Sequence, residues 1–132
     1  MEYSLEQLKN YIPLSKRDII DEEMIPILCE LNSKGYKTKF CCQGHTEEEH
    51  LNRTNVYIVF ADNYDFAIDY PSIERKGNKK YTKKVVKNNN LRLPLTLYFY
   101  TSRKTSVEQQ EKERQEFIKS IFEWSKALPS IL

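Results

Sequence analysis

Gly35-Tyr36-Lys37-Thr38-Lys39-Phe40-Cys41-Cys42-Gln43-Gly44-His45 is the stretch whose reading decides the fold. A helix ending at Lys34 needs a left-handed residue after it, and Gly35 supplies that conformation without Cβ strain. Tyr36 to Cys42 then reads as a strand, with Tyr36, Thr38, Phe40 and Cys42 on one face and Lys37, Lys39 and Cys41 on the other. Gln43-Gly44-His45 follows as a turn beside a thiol, a place suited to an anion or a metal. A helix, a sharp corner and a strand with its own turn point to an α+β domain.

Upstream of the corner, Asp21 caps the next predicted helix and Glu22 and Glu23 complement its dipole. Met24, Leu28 and Leu31 recur at helical spacing, and Pro26 falls near the first turn, where it is tolerated. Cys29 reads as a small buried apolar residue. Ser4-Leu5-Glu6-Gln7 is a capping box for a short helix to about Tyr11, stopped by Pro13.

Downstream, Thr46 to Asn55 is polar and reads as a loop. Val56 to Ala61 is a strand, with Val56, Ile58 and Phe60 facing one way and Tyr57 and Val59 the other. Apolar character on both faces makes it central. Tyr64, Phe66, Ile68 and Tyr70 alternate, so 62–72 is a candidate for a further strand. Tyr81 to Lys87 alternates as a basic edge strand. Leu91 to Thr101 carries Leu91, Leu93, Leu95, Leu97 and Phe99 as a core face. Its other face is Arg92, Pro94, Thr96, Tyr98 and Tyr100, the composition of a polar ligand surface. Ser106-Val107-Glu108-Gln109 is a second capping box, opening a helix to about Ala127. The first half of that helix is polar, which predicts projection into water or contact with another subunit. The second half, from Phe117 to Leu128, docks on the sheet. The sum is one domain over 1–132, an antiparallel sheet of about four to six strands with an N-terminal helical region and a long C-terminal helix.

The 132 residues carry a formal charge of only +2, which gives no overall signature for long nucleic acid. Charge is uneven. Arg75, Lys76, Lys79, Lys80, Lys83, Lys84, Lys87 and Arg92 form a basic run, a pattern suited to a polyanion of limited size. No apolar run is long enough to span a bilayer, and no membrane partner is expected. Three cysteines, two of them adjacent, read as reduced thiols of a cytoplasmic protein.

Three chemistries compete. Cys42, His45 and His50 have ligand-like spacing, but a structural zinc site lacks its second ligand pair, and neighbouring Cys41 and Cys42 diverge on a strand. Cys42 with His45 would make a nucleophilic pair, as in a nucleotide hydrolase, yet no enzyme motif accompanies it. Binding without chemistry uses Arg92, Arg103, Arg53 and Arg17 as phosphate forks and tyrosines as stacking faces. A plain nucleic-acid contact through the basic run from Arg75 to Lys87 is the further alternative.

Leu31-Asn32, Gly35-Tyr36-x-Thr38, Phe40-Cys41-Cys42-x-Gly44-His45, Val56-Tyr57-Ile58-Val59-Phe60 and the late Glu123-Trp124 helix together resemble small phage and prophage proteins. They are most similar to the Thoeris anti-defence family, sponges that sequester cyclic ADP-ribose signals. The resemblance implies a cyclic nucleotide ligand, a cyclic ADP-ribose isomer with cyclic oligonucleotides as a further class, bound without turnover and with no catalytic job for the Cys42-Gln43-Gly44-His45 turn; no metal or cofactor is expected. It implies homo-oligomers, as dimers or higher assemblies such as hexamers, working in the host cell cytoplasm. Carried onto this chain it makes Arg103 a phosphate-binding arginine, with Arg92 and Arg53 beside it. Tyr81 becomes the adenine-stacking aromatic with Asn90 as its polar neighbour, and Gly44 and His45 become part of a pocket wall.

Overall fold

The computed structural model describes residues 2–14, 20–42, 55–75, 78–81, 83–85, 95–101 and 106–132, with backbone alone at 40–42, 75, 78–81 and 83–85. Its helices are α1 (Leu5–Leu8), α2 (Ile25–Ser33) and α3 (Val107–Ala127). Its strands are β1 (Thr38–Cys42), β2 (Asn55–Phe60), β3 (Ser72–Arg75), β4 (Asn78–Tyr81), β5 (Lys83–Val85) and β6 (Thr96–Tyr100). A four-stranded antiparallel sheet has the order β1-β2-β6-β5, and β3 and β4 form a separate two-stranded ribbon. The class is α+β, with β2 and β6 at the centre of the main sheet.

The helix ends follow the sequence chemistry. Ser4 Oγ accepts from the Gln7 backbone N–H, and Ser106 Oγ from that of Gln109. Neither glutamine side chain closes the box: Gln7 donates to Tyr11 and Gln109 to Glu113. α1 is shorter than expected, ending at Leu8 in a chain of turns. Asp21 leads into a 3-10 turn over Glu22–Met24 without making a side-chain cap, and Pro26 lies in the first turn of α2.

The corner after α2 is a two-bond cap. Gly35 N–H donates to Asn32 O at 3.2 Å, and Tyr36 N–H reaches back to Leu31 O at 2.9 Å. This is the Schellman arrangement, and it requires the positive φ of 98° that Gly35 adopts. The Asn32 side chain, fully buried, then fastens the strand to the helix. Its Nδ2 donates to Leu28 O and Thr38 Oγ1, and its Oδ1 accepts from Thr38 N–H at 3.1 Å.

One face of the sheet carries the core. Val56, Ile58 and Phe60 on β2 sit in register with Phe99, Leu97 and the start of β1, and all are buried. α3 lies over this face, with Phe117 stacked on Phe99 at 3.9 Å between ring centroids. Leu8, Ile27, Leu28, Leu31, Tyr36, Ile121, Trp124 and Leu128 complete the cluster.

Several expectations are corrected. The alternation through Tyr36, Thr38, Phe40 and Cys42 does not hold, because the register shifts between Thr38 and Phe40. Thr38 pairs with Phe60 but Phe40 with Val59, which is a bulge that consumes one residue. Residues 62–71 form no strand; instead Phe66 lies among Tyr36, Phe60, Tyr64, Tyr70 and Trp124, with centroids 4.8–6.5 Å away. The basic stretch is divided: Tyr81 belongs to β4 and pairs with Ser72, while Lys83–Val85 forms the sheet edge. The polar half of α3 does not project wholly into water, because one side of it is packed inside the fold. Gln110, Glu113 and Arg114 are 1%, 2% and 6% exposed. Arg114 is gripped by Glu23 at 2.7 Å and by Glu111 of its own helix. These carboxylates, Glu111 foremost, hold the guanidinium firmly charged and offset the cost of burying it.

Two stability outcomes follow from the corner. Asn32→Ala strips the buried Thr38 N–H of its side-chain acceptor and lowers unfolding free energy by about 2 kcal/mol in urea titration. Gly35→Ala lowers it by ~1–2 kcal/mol, the cost of a Cβ in the left-handed region. The nearest obstacles to that Cβ, Ile131 and Leu132, are exposed and can yield.

Candidate functional site

The face of the sheet opposite α3 is built by the second half of each alternation. Asn55, Tyr57 and Val59 on β2 sit directly across from Tyr100, Tyr98 and Thr96 on β6. Val59 and Thr96 are buried at one end, at 7% and 6% exposure. Toward the other end Asn55, Tyr57, Tyr98 and Tyr100 are half-buried. Tyr98 and Tyr100 lie parallel, 8° apart in plane and 5.8 Å between centroids. Tyr57 stands 6.2 Å from Tyr98 across the strands, tilted by 45°. The three rings therefore occupy the two central strands, whose ladder fixes their spacing.

The row continues to both sides in backbone register. Cys42 of β1 pairs with Tyr57, and Lys83 of β5 pairs with Tyr98. Lys84 pairs instead with the core-face residue Leu97, and Lys79 and Lys80 belong to the separate β3–β4 ribbon. Neighbouring aromatic rings of this kind can stack a planar base.

Of the residues singled out by sequence, Arg103, Arg92, Arg53, Asn90, Gly44 and His45 lie outside the described residues, as do Arg17 and His50. Tyr81 is placed in the β3–β4 ribbon, not in the four-stranded sheet that carries the tyrosine row. Cys41 and Cys42 occupy successive positions opposite Ile58 and Tyr57. Among the described residues no group of three or more His, Cys, Asp and Glu side chains could hold a metal ion. No described helix is long and apolar enough to cross a membrane. The sequence reading placed Tyr57, Tyr98 and Tyr100 on non-core faces but did not single them out. Their alternation was visible, and the pairing that brings them together was not.

A second concavity of about 300 Å³ opens between the N-terminal segment, α2 and α3, with Tyr3, Pro26, Ile118 and Phe122 in its walls. Tyr3 packs edge-on against Phe122 at 5.3 Å. Three of its four polar side chains already serve the fold. Glu23 holds Arg114, Gln115 donates to Glu111, and Tyr3 donates to Glu30 at 2.6 Å. The cleft thus offers shape without convergent polar groups, and the sheet face is the better candidate.

The Tyr3–Glu30 bond has a pH signature. Donation to the Glu30 carboxylate, with burial and the carboxylate charge adding to it, pushes the Tyr3 phenol up to about 12. A phenol held protonated in the fold stabilises it fully below the ordinary value of about 10. That contribution is lost as pH rises toward 12. Tyr3→Phe should therefore melt with a shallower decline than the parent between about pH 10 and 12, measured by thermal unfolding across that window.

The chain matches no protein-family model, no curated protein and no solved structure.

Proposed function

We propose that this chain binds a nucleotide by stacking and charge and releases it unchanged. The observation that carries the reading is the group of Tyr57, Tyr98 and Tyr100 on the non-core face of the central strands, with Lys83 paired to Tyr98 in backbone register. Stacking a base on such a ring is worth ~1–3 kcal/mol. Each charge-assisted hydrogen bond to phosphate adds ~1.5–3 kcal/mol. A few of each give tight capture without any chemical step.

The resemblance to the Thoeris anti-defence sponges narrows the ligand to cyclic nucleotide signals, cyclic ADP-ribose isomers above all. Arg103, shortly beyond Thr101 at the end of β6, supplies a phosphate fork in this reading, with Arg92 and Arg53 as further forks. Tyr81 and Asn90 remain adenine contacts, and Gly44 and His45 wall contacts, of a site shared between subunits of a homo-oligomer. Function follows by mass action: an abundant binder in the host cytoplasm lowers free messenger below the level its receptor requires.

The protein is mixed with cyclic ADP-ribose isomers, desalted, heat-denatured, and the released ligand identified by mass spectrometry. Intact ligand is the expected product, and Arg103→Ala should weaken capture by about ten-fold or more. Recovery of a hydrolysed product would replace this reading with a hydrolase built on Cys42 and His45. Zinc in the purified protein with no nucleotide retained would replace it with a metal-binding role.

A further inference from the structure

We infer that the cleft between the N-terminal segment, α2 and α3 is a binding site for a small aromatic carboxylate, a planar apolar body carrying a single acid. The inference goes beyond the nucleotide reading and does not rest on it, because the cleft lies among the helices and not on the tyrosine face.

Size and lining set the body of the ligand. The space is about 300 Å³, roughly twice the ~150 Å³ apolar cavity that takes a benzene ring. Its apolar walls are Pro26, Ile118, Phe122 and the ring of Tyr3. Pro26 is fixed in the first turn of α2, and Ile118 and Phe122 stand one turn apart on α3. Tyr3 meets Phe122 edge-on, at 84° between planes. Walls carried by helices favour a rigid, planar guest, which loses little entropy on binding.

Charge sets the acid. The carboxylates beside the cleft are each matched by a cation, Glu23 by Arg114 at 2.7 Å and Glu30 by Lys34 at 3.4 Å. The Tyr3 hydroxyl and the Gln115 amide are engaged by Glu30 and Glu111. Two ammonium groups differ. Lys119 is exposed and lines the cleft, and Lys126 sits 5.2 Å over the Phe122 ring. Among the described residues neither is ion-paired with a carboxylate, Glu116 and Glu123 of the same helix included. Positions 119, 122 and 126 recur along one stripe of α3, so a cation stands on either side of the ring that a bound aromatic touches. The lysine stems can cover an apolar guest while their charged ends hold its acid at the rim. An amine in the same place meets like charge.

The test is isothermal titration calorimetry of the unaltered protein with three ligands of one shape: 2-naphthoate, 2-naphthylmethanol and 2-naphthylmethylamine. 2-Naphthoate should bind with a Kd below about 1 mM. It should bind about 3- to 5-fold tighter than the alcohol, with the amine weakest, and its advantage should shrink as salt rises. Lys119→Gln, at an exposed position, should bring acid and alcohol to nearly equal affinity. Gln115→Trp, also at an exposed position, puts a ring into the cleft and should abolish binding of both. An acid that binds no tighter than the alcohol, or that keeps its full advantage in Lys119→Gln, overturns the inference. Binding that survives Gln115→Trp overturns it too, as does failure of all three ligands to bind at about 1 mM. Cyclic ADP-ribose should not displace 2-naphthoate, and displacement would overturn the claim of a separate site.

Discussion

The clasp between Asn32 and Thr38 is the contact on which the rest of the structure depends. It joins the last turn of α2 to the first residue of β1 across a four-residue connection, and it is buried. A buried amide is costly unless its groups are satisfied. Asn32 meets that requirement with Leu28 O inside its own helix and with both the backbone and the hydroxyl of Thr38. The direction of β1 is therefore set by hydrogen-bond geometry as well as by apolar burial. The same corner seats the end of α3. Lys34 Nζ donates to the carbonyls of Ser125 and Lys126, while Tyr36 OH donates to Pro129 O and Ile131 N–H to Lys34 O. A lysine at the last carbonyls answers the negative end of the α3 dipole.

With α2, β1 and the end of α3 fixed at one corner, the helices are committed to one face of the sheet. That commitment explains the second clasp, at the far end of α3. A 21-residue helix is longer than the sheet needs, and its first turns would leave the apolar core behind. Arg114 solves this with polar rather than apolar contact, reaching Glu23 in the turn before α2. Both ends of α3 are thus tied to the α2 segment, one through Lys34 and one through Glu23.

Much of this was legible. Gly35 demanded its corner, the Leu95, Leu97 and Phe99 alternation identified the core face of β6, and Ser4 and Ser106 marked two helix starts. Each is a local signal, set by φ, by period or by one cap. What escaped detection was non-local. The bulge after Thr38 moves the register of β1 against Phe60 and Val59, a matter of pairing that no single strand records. The aromatic run from Tyr64 to Tyr70 imitates a strand, yet its rings are claimed by Tyr36, Phe60 and Trp124 from other elements. Gln110, Glu113 and Arg114 look solvated because their partners lie partly on another segment. The tyrosine row was half-visible for the same reason: period gave the face of each ring, and register alone made them neighbours.

The regularity of the central ladder sets the geometry of the tyrosine face. β1 is bulged, whereas β2 and β6 pair without interruption from Asn55–Tyr100 to Val59–Thr96. The rings of Tyr57, Tyr98 and Tyr100 are consequently held by the longest uninterrupted ladder among the described strands, backed by the Phe99–Phe117 stack on the core side. Tyrosine has few rotatable bonds, so a ring already fixed by its strand loses little entropy when a base settles on it. Rings held in this way favour a planar ligand over a flexible one.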